Sequence, residues 1–387
     1  MHRRFRPVLV LCASMALAAA SAFALDTFDF TSSREKSMGG EHAALADDFS
    51  VILSNPAGLA DAPRQFSAAD LSFQAEGPVF DIANLLLGGS PSVSGITNFL
   101  AQNDDRVHAG AEISGPFAFG YTGGGLGFGL FNKTHLVLDI ANVNSIDLSA
   151  GEDLLLTGGY AMRFDLGKGH ELAAGMSAKG FVRGAIEPSM GITQLYDYAS
   201  GASSPMSLLG DTFTLTTGIG IDAGIRWSWD GQVAAGLVCH DVYSPAIVSQ
   251  YSSLMGFLSN PGSSSEGAPT YDSLDRKLDF GLMYKPRLGR LGDVIDSLTL
   301  AADYNDILDL WSPVPRNAIL NVSLGMEVRV LGIVTLRAGV DEALLSAGIG
   351  LDLGIFTLSL AAYGSELGIE PGDQPYYNLL VDFAFKY

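Results

Sequence analysis

The final stretch of the chain, Tyr377-Asn-Leu-Leu-Val-Asp-Phe-Ala-Phe-Lys-Tyr387, decides the fold. Its odd-numbered residues are all apolar or aromatic, whereas the even-numbered ones include Asn378, Asp382 and Lys386. Side chains of a strand alternate between two faces, so this pattern predicts a strand with one apolar face. Closing strands of bacterial outer-membrane barrels commonly have this form, with lipid outside and a polar lumen inside. A soluble sheet could also produce it, so the remaining sequence has to distinguish the two.

The N-terminus has the composition of a secretory signal. Three arginines among the first six residues precede the apolar run Val8 to Ala20, and Ala22-Phe23-Ala24 forms a small-x-small cleavage site. We therefore expect residues 1–24 to be removed and the mature chain to begin at Leu25. A membrane anchor or a lipoprotein signal at Cys12 fits less well, because both apolar runs are too short.

Charge and glycine content narrow the class further. The chain has 22 Lys and Arg against 42 Asp and Glu, and this acidic balance argues against nucleic-acid binding. Glycine occurs 46 times and recurs at every second position in runs such as Gly125 to Gly129. Glycine at this frequency disfavours helices, and on a lumen face it leaves room for a ligand, a plug or water. Without the leader, Cys239 is the single cysteine, so no internal disulfide is expected.

Alternation continues along the chain and predicts about fourteen strands. In the clearest, 212–229, Phe213, Ile219 and Trp227 share one face with other apolar residues, while Asp222 and Arg226 share the opposite face. Charged side chains on an inward face require water or other charges. The expected strands are 66–75, 106–121, 125–140, 152–165, 171–184, 212–229, 232–243, 276–287, 297–305, 317–330, 333–341, 345–353, 355–364 and 376–387.

The connections give an independent signal. Short turns such as Asp230-Gly231 follow even-numbered strands, whereas the long segments 76–105, 185–211 and 244–275 follow odd-numbered ones. Outer-membrane barrels alternate short periplasmic turns with longer extracellular loops in this way. The sequence therefore predicts an all-β fold, a transmembrane antiparallel β-barrel of about 14 strands formed by residues 65–387.

Residues 25–64 do not have a strand pattern and are expected to form an N-terminal hatch, a plug inside the lumen. They contain Met38-Gly39-Gly40 and the segment Asn55-Pro56-Ala57-Gly58. Asn55 is a favourable helix cap with Pro56 at the first helical position. A purely structural role of this kind and a gating role are both open.

These hatch residues resemble the FadL-type long-chain fatty-acid transporters of the bacterial outer membrane. The resemblance is carried by Met38-Gly39-Gly40, Ala44-Leu45-Ala46-Asp47-Asp48 and Asn55-Pro56-Ala57-Gly58-Leu59. The segment Glu366 to Pro375 before the last strand is also similar to FadL-like proteins of spirochaetes. The resemblance implies a fourteen-stranded barrel with a hatch inside. It also implies passive uptake of fatty acids or other hydrophobic molecules, collected by extracellular loops, gated by the hatch and released sideways at a kinked strand.

Two apolar loop segments at roughly helical spacing could form the collecting groove. The alternative is that they pack on each other and cap the barrel, and 79–100 is a third candidate segment. The candidate ligand-binding residues are Ile192, Leu195, Tyr196, Ile247, Tyr251, Leu254, Met255, Phe257 and Leu258.

A fatty-acid carboxylate would need a cation in the lumen. The candidates with inward parity are Lys179, Arg183, Arg226, Arg329 and Arg337. Each could instead form an ion pair with lumen carboxylates such as Asp222, Asp303 or Glu327. His108 and His240 are expected to line the lumen. Glycines 123–129 could allow a strand kink, or form an ordinary tight turn.

The sequence has no spacing typical of a catalytic or metal site, so neither enzymatic activity nor a cofactor or metal is predicted. The leading function is an outer-membrane transporter for hydrophobic molecules. The alternatives are a diffusion porin for small polar solutes and a surface barrel whose loops bind host ligands. Expected partners are hydrophobic small molecules, outer-membrane lipid, and the barrel-assembly machinery, which would recognise the C-terminal strand ending at Tyr387. A monomer is expected.

Overall fold

A computed structural model describes residues 25, 27–30, 32–87, 92–103, 106–115, 119–142, 144–200, 202–260, 265–289, 292 and 294–386. The expected leader, residues 1–24, and the terminal Tyr387 lie outside the described residues. Within the described ranges, eighteen strands form one sheet, and the first strand pairs antiparallel with the last. The sheet therefore closes into a barrel.

The strands of the first half are β1 (Gln65–Glu76), β2 (Val107–Ser114), β3 (Phe119–Gly123), β4 (Leu126–Asn142), β5 (Ser145–Gly167), β6 (His170–Ile186), β7 (Ser189–Met190), β8 (Phe213–Trp229) and β9 (Val233–Tyr243). Those of the second half are β10 (Pro245–Tyr251), β11 (Thr270–Ser273), β12 (Lys277–Tyr284), β13 (Ile295–Tyr304), β14 (Val322–Val330), β15 (Val334–Asp341), β16 (Leu344–Asp352), β17 (Phe356–Glu366) and β18 (Pro375–Lys386).

Four positions in the wall consist of two short strands in line. β2 and β3 both pair with β1 and β4, and β6 and β7 both pair with β5. β9 and β10 both pair with β8. The next position consists of β12, which pairs with β9, and β11, which pairs with β10. The wall consequently has fourteen strand positions, which confirms the predicted antiparallel barrel.

The two faces of the wall differ as the alternation predicts. On β5, Leu156 and Met162 are 58% and 51% exposed, whereas Asp153 and Thr157 are 1% and 3% exposed. The outward side chains form an apolar belt suited to lipid, and closure leaves each strand hydrogen-bonded on both sides. None of the described helices is long and apolar enough to cross a membrane.

The long connections lie at one end of the barrel, after odd-numbered strand positions. They contain α3 (Val79–Leu87) and α4 (Val93–Gln102), then α5 (Ile192–Ala199) with a 3₁₀ helix at Pro205–Gly210, and α6 (Leu254–Ser259). A further long connection, between β13 and β14, contains the 3₁₀ helix Ile307–Trp311. Outer-membrane barrels have their long loops outside the cell, and by that convention we name this end the extracellular side and the end with Gln65 and Lys386 the periplasmic side.

Two local expectations need correction or refinement. The predicted loop 244–275 begins as strand β10, which pairs with β8, so Ile247 and Tyr251 lie on a strand and not on a helix. Ala246 is buried and Ile247 exposed, a strand alternation that the apolar run obscured.

Glycines 123 to 125 have positive φ and form a tight turn between β3 and β4. The second strand position is divided between Ser114 and Phe119 instead, and residues 116–118 lie outside the described residues.

The N-terminal segment lies inside the barrel and contains α1 (Ser33–Ser37), α2 (Val51–Ser54) and a 3₁₀ helix at Pro56–Ala60. It packs directly on lumen glycines. A Cβ atom at Gly236 would lie 2.1 Å from the Ala43 carbonyl oxygen, and one at Gly339 would lie 2.3 Å from the Met38 carbonyl carbon. Among the glycines that approach this segment, we call nine, each on a different strand, the glycine ring: Gly127, Gly159, Gly175, Gly224, Gly236, Gly281, Gly325, Gly339 and Gly348.

Candidate functional site

The first hatch motif fits the barrel wall through its glycines. A capping box starts α1, in which Ser32 Oγ accepts from the Glu35 backbone and Glu35 accepts from the Ser32 backbone. The chain then turns at Gly39, whose φ is +86° and whose missing Cβ would lie 2.6 Å from the Val340 carbonyl oxygen. Met38-Gly39-Gly40 therefore permits close backbone contact between hatch and wall.

A buried ion pair anchors the same region. His42 Nδ1 lies 2.6 Å from Asp303 Oδ2, and His42 Nε2 lies 3.2 Å from the Met38 carbonyl oxygen. Asp303 Oδ1 also accepts from the Ala43 backbone at 2.9 Å. Because both ring nitrogens face acceptors, the geometry favours the doubly protonated imidazolium. Burial alone would lower the pKa of His42, but the hydrogen bond and charge of Asp303 raise it above its usual value.

This raised pKa gives hatch docking a definite pH dependence. A raised histidine pKa stabilises the docked state fully below the unfolded pKa of about 6.5, and the stabilisation is lost as pH rises through the folded pKa. We expect residues 25–62 to resist limited proteolysis at mildly acidic pH and to become more accessible under alkaline conditions. The His42→Gln variant keeps a hydrogen-bonding side chain without the charge and should show little pH dependence. An alkaline transition of equal size in that variant would contradict the assignment.

The second motif joins two parts of the hatch. Asn55 is fully buried, and its Oδ1 accepts from the Ala57 backbone at 3.0 Å, which caps the 3₁₀ helix starting at Pro56. Its Nδ2 donates to the Ala43 carbonyl oxygen at 2.7 Å. A Cβ atom at Gly58 would lie 3.1 Å from the Val51 Cβ, and Ala57 is fully buried, so this end of the motif is closely packed. The capping expectation for Asn55 and Pro56 is confirmed, while a gating role stays a prediction.

A charge cluster holds α1 against the neighbouring strand β14. Arg34 makes two hydrogen bonds of 2.8 Å to Glu327 and contacts Asp47 and Asp48 at 2.7 and 2.6 Å. Arg337 Nε donates to the same Glu327 at 2.8 Å. Removing one partner of such a buried network leaves the others uncompensated, so the cluster fixes hatch position as a unit.

Two cavities lie on either side of the hatch. The outer cavity, about 440 Å³, is bordered by extracellular-side residues such as Asp241, Asp306 and Arg316. The inner cavity, about 200 Å³, is bordered by periplasmic-side residues such as Gln65 and Lys386, together with Arg337. Each has a partly apolar wall, which Phe28 and Leu155 supply to the first and Phe49 and Phe131 to the second.

Phe30 and Leu53 border both cavities, and we call these two side chains the partition. The Phe30 ring centroid lies 5.7 Å from that of Phe131 on β4. Nearby, Phe28 lies 4.9 Å from Phe181 on β6, and the Arg183 guanidinium lies 4.4 Å from the Phe28 centroid. These aromatic contacts hold the start of the hatch on the wall. An isolated β-bridge between Leu25 and Leu274 adds to them, and the Leu25 backbone N–H donates to the Ser273 carbonyl oxygen at 2.9 Å.

All five candidate lumen cations are engaged by carboxylates. Lys179 lies 3.0 Å from Asp222 and 2.9 Å from Asp241, and Arg183 binds Asp153 at 2.7 Å. The remaining pairs are Arg226 with Asp61, Arg329 with Asp352 and Arg337 with Glu327. The ion-pair alternative therefore describes the resting state, with Asp222 and Glu327 among the expected partners and Asp303 bound by His42. Among the described residues, Arg337 Nη1 has no hydrogen-bond partner.

The histidines expected in the lumen make ion pairs as well. His240 borders the outer cavity, with Nε2 3.4 Å from Asp279, and His108 Nδ1 lies 2.5 Å from Asp139.

The structure does not bring the two candidate loop segments into one groove. Leu195, Ile192 and Tyr196 of α5 pack with α3 and α4 of the first long loop. Phe257 of α6 packs on Tyr251 and on Phe213, with centroids 4.9 and 5.1 Å apart. The third candidate segment, 79–100, is thus the packing partner of α5, while Met255 and Leu258 stay exposed. Whether any of these residues, Ile247 and Leu254 included, binds ligand stays a prediction.

The partition residues were not identified from the sequence. Phe28, Phe30 and Leu53 stand outside the two hatch motifs, and their aromatic partners Phe131 and Phe181 have lumen positions among many apolar residues. The available signal was the apolar spacing Leu25, Phe28, Phe30 in a segment otherwise polar. Such a spacing predicts that these side chains are buried, but not which strand of the wall they pack against.

Several solved structures are similar in architecture to this chain, although no sequence match was found. No known protein family and no curated protein matches the sequence. Among solved structures, the Ralstonia pickettii toluene transporter TbuX is 12% identical, with 92% of this chain and 97% of that chain covered and a TM-score of 0.48. A Pseudomonas aeruginosa FadL homologue is 14% identical, with 95% of this chain and 99% of that chain covered and a TM-score of 0.45. The P. putida toluene transporter TodX is 12% identical, with 92% of this chain and 98% of that chain covered and a TM-score of 0.43.

Proposed function

We propose that this protein is an outer-membrane channel for the passive uptake of hydrophobic molecules, gated by its N-terminal hatch. The observation that carries the proposal is the partition: two cavities stacked along the lumen share the apolar side chains Phe30 and Leu53. A channel for water and ions needs a continuous polar path, whereas here the two cavities adjoin at an aromatic and an aliphatic side chain.

The partition selects by desolvation. A polar solute that crosses it without new hydrogen bonds loses water contacts, at a cost of roughly 2–7 kcal/mol for each polar group. An apolar solute gains contact with Phe28, Phe49 and Phe131 as it leaves water. The hatch therefore acts as a chemical filter, and displacement of Phe30 and Leu53 is the gating step that the proposal requires.

A polar group of the cargo has one candidate partner in the inner cavity. Arg337 borders this cavity, its side chain is about nine-tenths buried, and Nη1 has no acceptor within the described residues. Glu327 holds the opposite edge of the guanidinium. This arrangement suits an oxygen acceptor on an apolar body, whether the carboxylate of a fatty acid or a neutral carbonyl or hydroxyl oxygen.

Collection from outside is proposed for the exposed apolar loop residues. Met255 and Leu258 on α6 present about half or more of their surface, and Met206 of the neighbouring 3₁₀ helix is similarly exposed. The proposal includes a leader cleaved after Ala24, assembly through the C-terminal strand, and a monomer in the outer membrane.

Uptake of 1-N-phenylnaphthylamine by intact bacteria tests the function, because the lipopolysaccharide leaflet excludes this uncharged probe and its fluorescence rises in the lipid beyond. Cells with the folded protein should take up the probe several times faster than cells that express a C-terminally truncated chain. The purified protein should conduct ions poorly in planar bilayers. The polar outer cavity makes a porin for small solutes the second candidate, and it would show stable conductance without faster probe uptake. That result would overturn the proposal.

A further inference from the structure

The wall of the outer cavity is strongly acidic. Among its described lining residues are nine Asp and Glu side chains, against four Lys and Arg and one histidine. Three of the basic groups are already paired across short distances: Lys36 with Asp29 at 3.0 Å, Lys179 with Asp222 and Asp241, and Arg316 with Glu342 at 2.7 Å. Carboxylates therefore remain in excess, and a low-dielectric surround concentrates their field in the cavity.

Two of these carboxylates have an oxygen without a partner. Asp241 is 2% exposed; its Oδ2 accepts from Lys179, and its Oδ1 has no hydrogen-bond partner among the described residues. Asp306 is held by its backbone, which donates to Asp279 Oδ1 at 2.6 Å, and its own Oδ1 is buried and likewise unpartnered within the described part of the chain. Unsatisfied buried carboxylate oxygens are costly, so a ligand that donates hydrogen bonds to them would be stabilised.

Both residues border the outer cavity and have left-handed backbone. Asp241 lies at a bulge of β9 opposite Asp222, with φ at +53°, and its backbone donates to Asp222 Oδ1 at 2.7 Å. Asp306 has φ at +46° directly after β13. Left-handed backbone at a non-glycine residue is uncommon and is held by its surroundings.

An apolar surface borders the same cavity. Phe28, Phe30, Leu53, Leu155 and Leu320 all contribute to its wall. The described residues contain no group of three His, Cys, Asp or Glu side chains that could hold a metal ion, so the acidic groups are too dispersed for that type of ligand. A cation with several N–H donors and an apolar body matches both parts of the wall.

We propose that the outer cavity is a binding site for organic ammonium ions, in which an ammonium group donates to Asp241 and Asp306 and its apolar body lies against the Phe28 and Leu53 side of the wall. Lys179, whose ammonium sits between Asp222 and Asp241, shows that this wall accommodates such a group. The site goes beyond the proposed uptake function by setting a charge preference for the cargo. Amines and uncharged molecules are favoured over carboxylates at the first cavity they meet.

Three ligands of nearly equal size and different charge test the site: benzylamine, benzyl alcohol and benzoate. Binding is measured by calorimetry to the full mature protein in nanodiscs of zwitterionic lipid, with empty nanodiscs as blanks. Because hydrogen bonds to charged groups contribute about 1.5–3 kcal/mol, benzylamine should bind about tenfold more tightly than benzyl alcohol, with benzoate weakest. Equal affinities for the three, or tightest binding of benzoate, would overturn the proposal.

The matched variant is the double substitution Asp241→Asn with Asp306→Asn. Asparagine tolerates left-handed backbone well, so these changes remove charge with little strain. Benzylamine affinity should fall to that of benzyl alcohol, while the control Asp81→Asn, an exposed acid on α3, should leave it unchanged. Unaltered benzylamine binding in the folded double variant would contradict the assignment. Since binding is measured without transport, its outcome is independent of the naphthylamine uptake result.

Discussion

Valine in place of Gly339 is expected to displace the hatch from the lumen while the barrel stays folded. A Cβ at this position would lie 2.3 Å from the Met38 carbonyl carbon and 2.4 Å from the Gly39 nitrogen. Both are backbone atoms and cannot rotate away. The wall is a closed hydrogen-bonded ladder, whereas the hatch is held by side-chain contacts and one short backbone link at Leu25. The hatch should therefore yield before the wall does.

Displacement can be read in two ways. Residues 25–62 should become accessible to limited proteolysis, and uptake of the uncharged naphthylamine probe should rise by about tenfold or more, since both cavities would be open to each other. Barrel integrity is checked by strand content in circular dichroism. Gly180→Val is the matched control on β6, because a Cβ there meets no described atom within 4 Å.

A protected hatch in folded Gly339→Val protein would contradict the close packing. If this variant fails to fold, Gly236→Ala adds a single methyl group on a different strand, aimed at the Ala43 carbonyl oxygen 2.1 Å away.

The second large effect is expected from Phe30→Ala combined with Leu53→Ala. These two side chains are the apolar partition, and their truncation joins the outer and inner cavities. We expect naphthylamine uptake to increase several-fold and ion conductance, low in the parent protein, to appear in planar bilayers. The loss of the Phe30 contact with Phe131 weakens hatch packing by about 3–5 kcal/mol at most, which leaves the wall intact.

Phe80→Ala on α3 is the matched control for the partition, because it removes an equal side chain that is exposed outside the lumen. Uptake and conductance in this control should equal those of the parent protein. If the double alanine variant is folded, retains a protected hatch and yet passes no more probe, Phe30 and Leu53 do not limit passage, and the gate must lie elsewhere.

The barrel could be predicted from the sequence because one face of each strand meets the polar lumen and the other face is apolar. On β8, Asp222 and Arg226 face the lumen while Ile219 and Ile225 face outward, and the sequence shows this directly as alternation. Loop parity added the even strand count. The break between β2 and β3, within the predicted strand 106–121, was missed because a break leaves the alternation on either side intact. Strand β10 was missed because its apolar run obscured the alternation.

The sequence predicted the parts of the hatch that depend on neighbouring residues, such as a helix cap. It did not predict the contacts between the hatch and distant wall residues. Asn55 and Pro56 carry a cap signal in four residues, so their role could be anticipated. The pairing of His42 with Asp303 and of Arg34 with Glu327 joins residues more than 250 positions apart, and parity shows only that Asp303 and Glu327 face inward. Which hatch residue meets them depends on how the hatch folds inside a closed wall.

The glycine ring has a consequence for how the protein assembles. The nine glycines come from nine separate strands, and a Cβ at any of them would meet atoms of the hatch. A register slip of one residue at any strand would turn its glycine toward the lipid and present a larger side chain to the hatch. Strand register and hatch seating are therefore coupled, and we expect a barrel with one strand out of register to leave its hatch unseated.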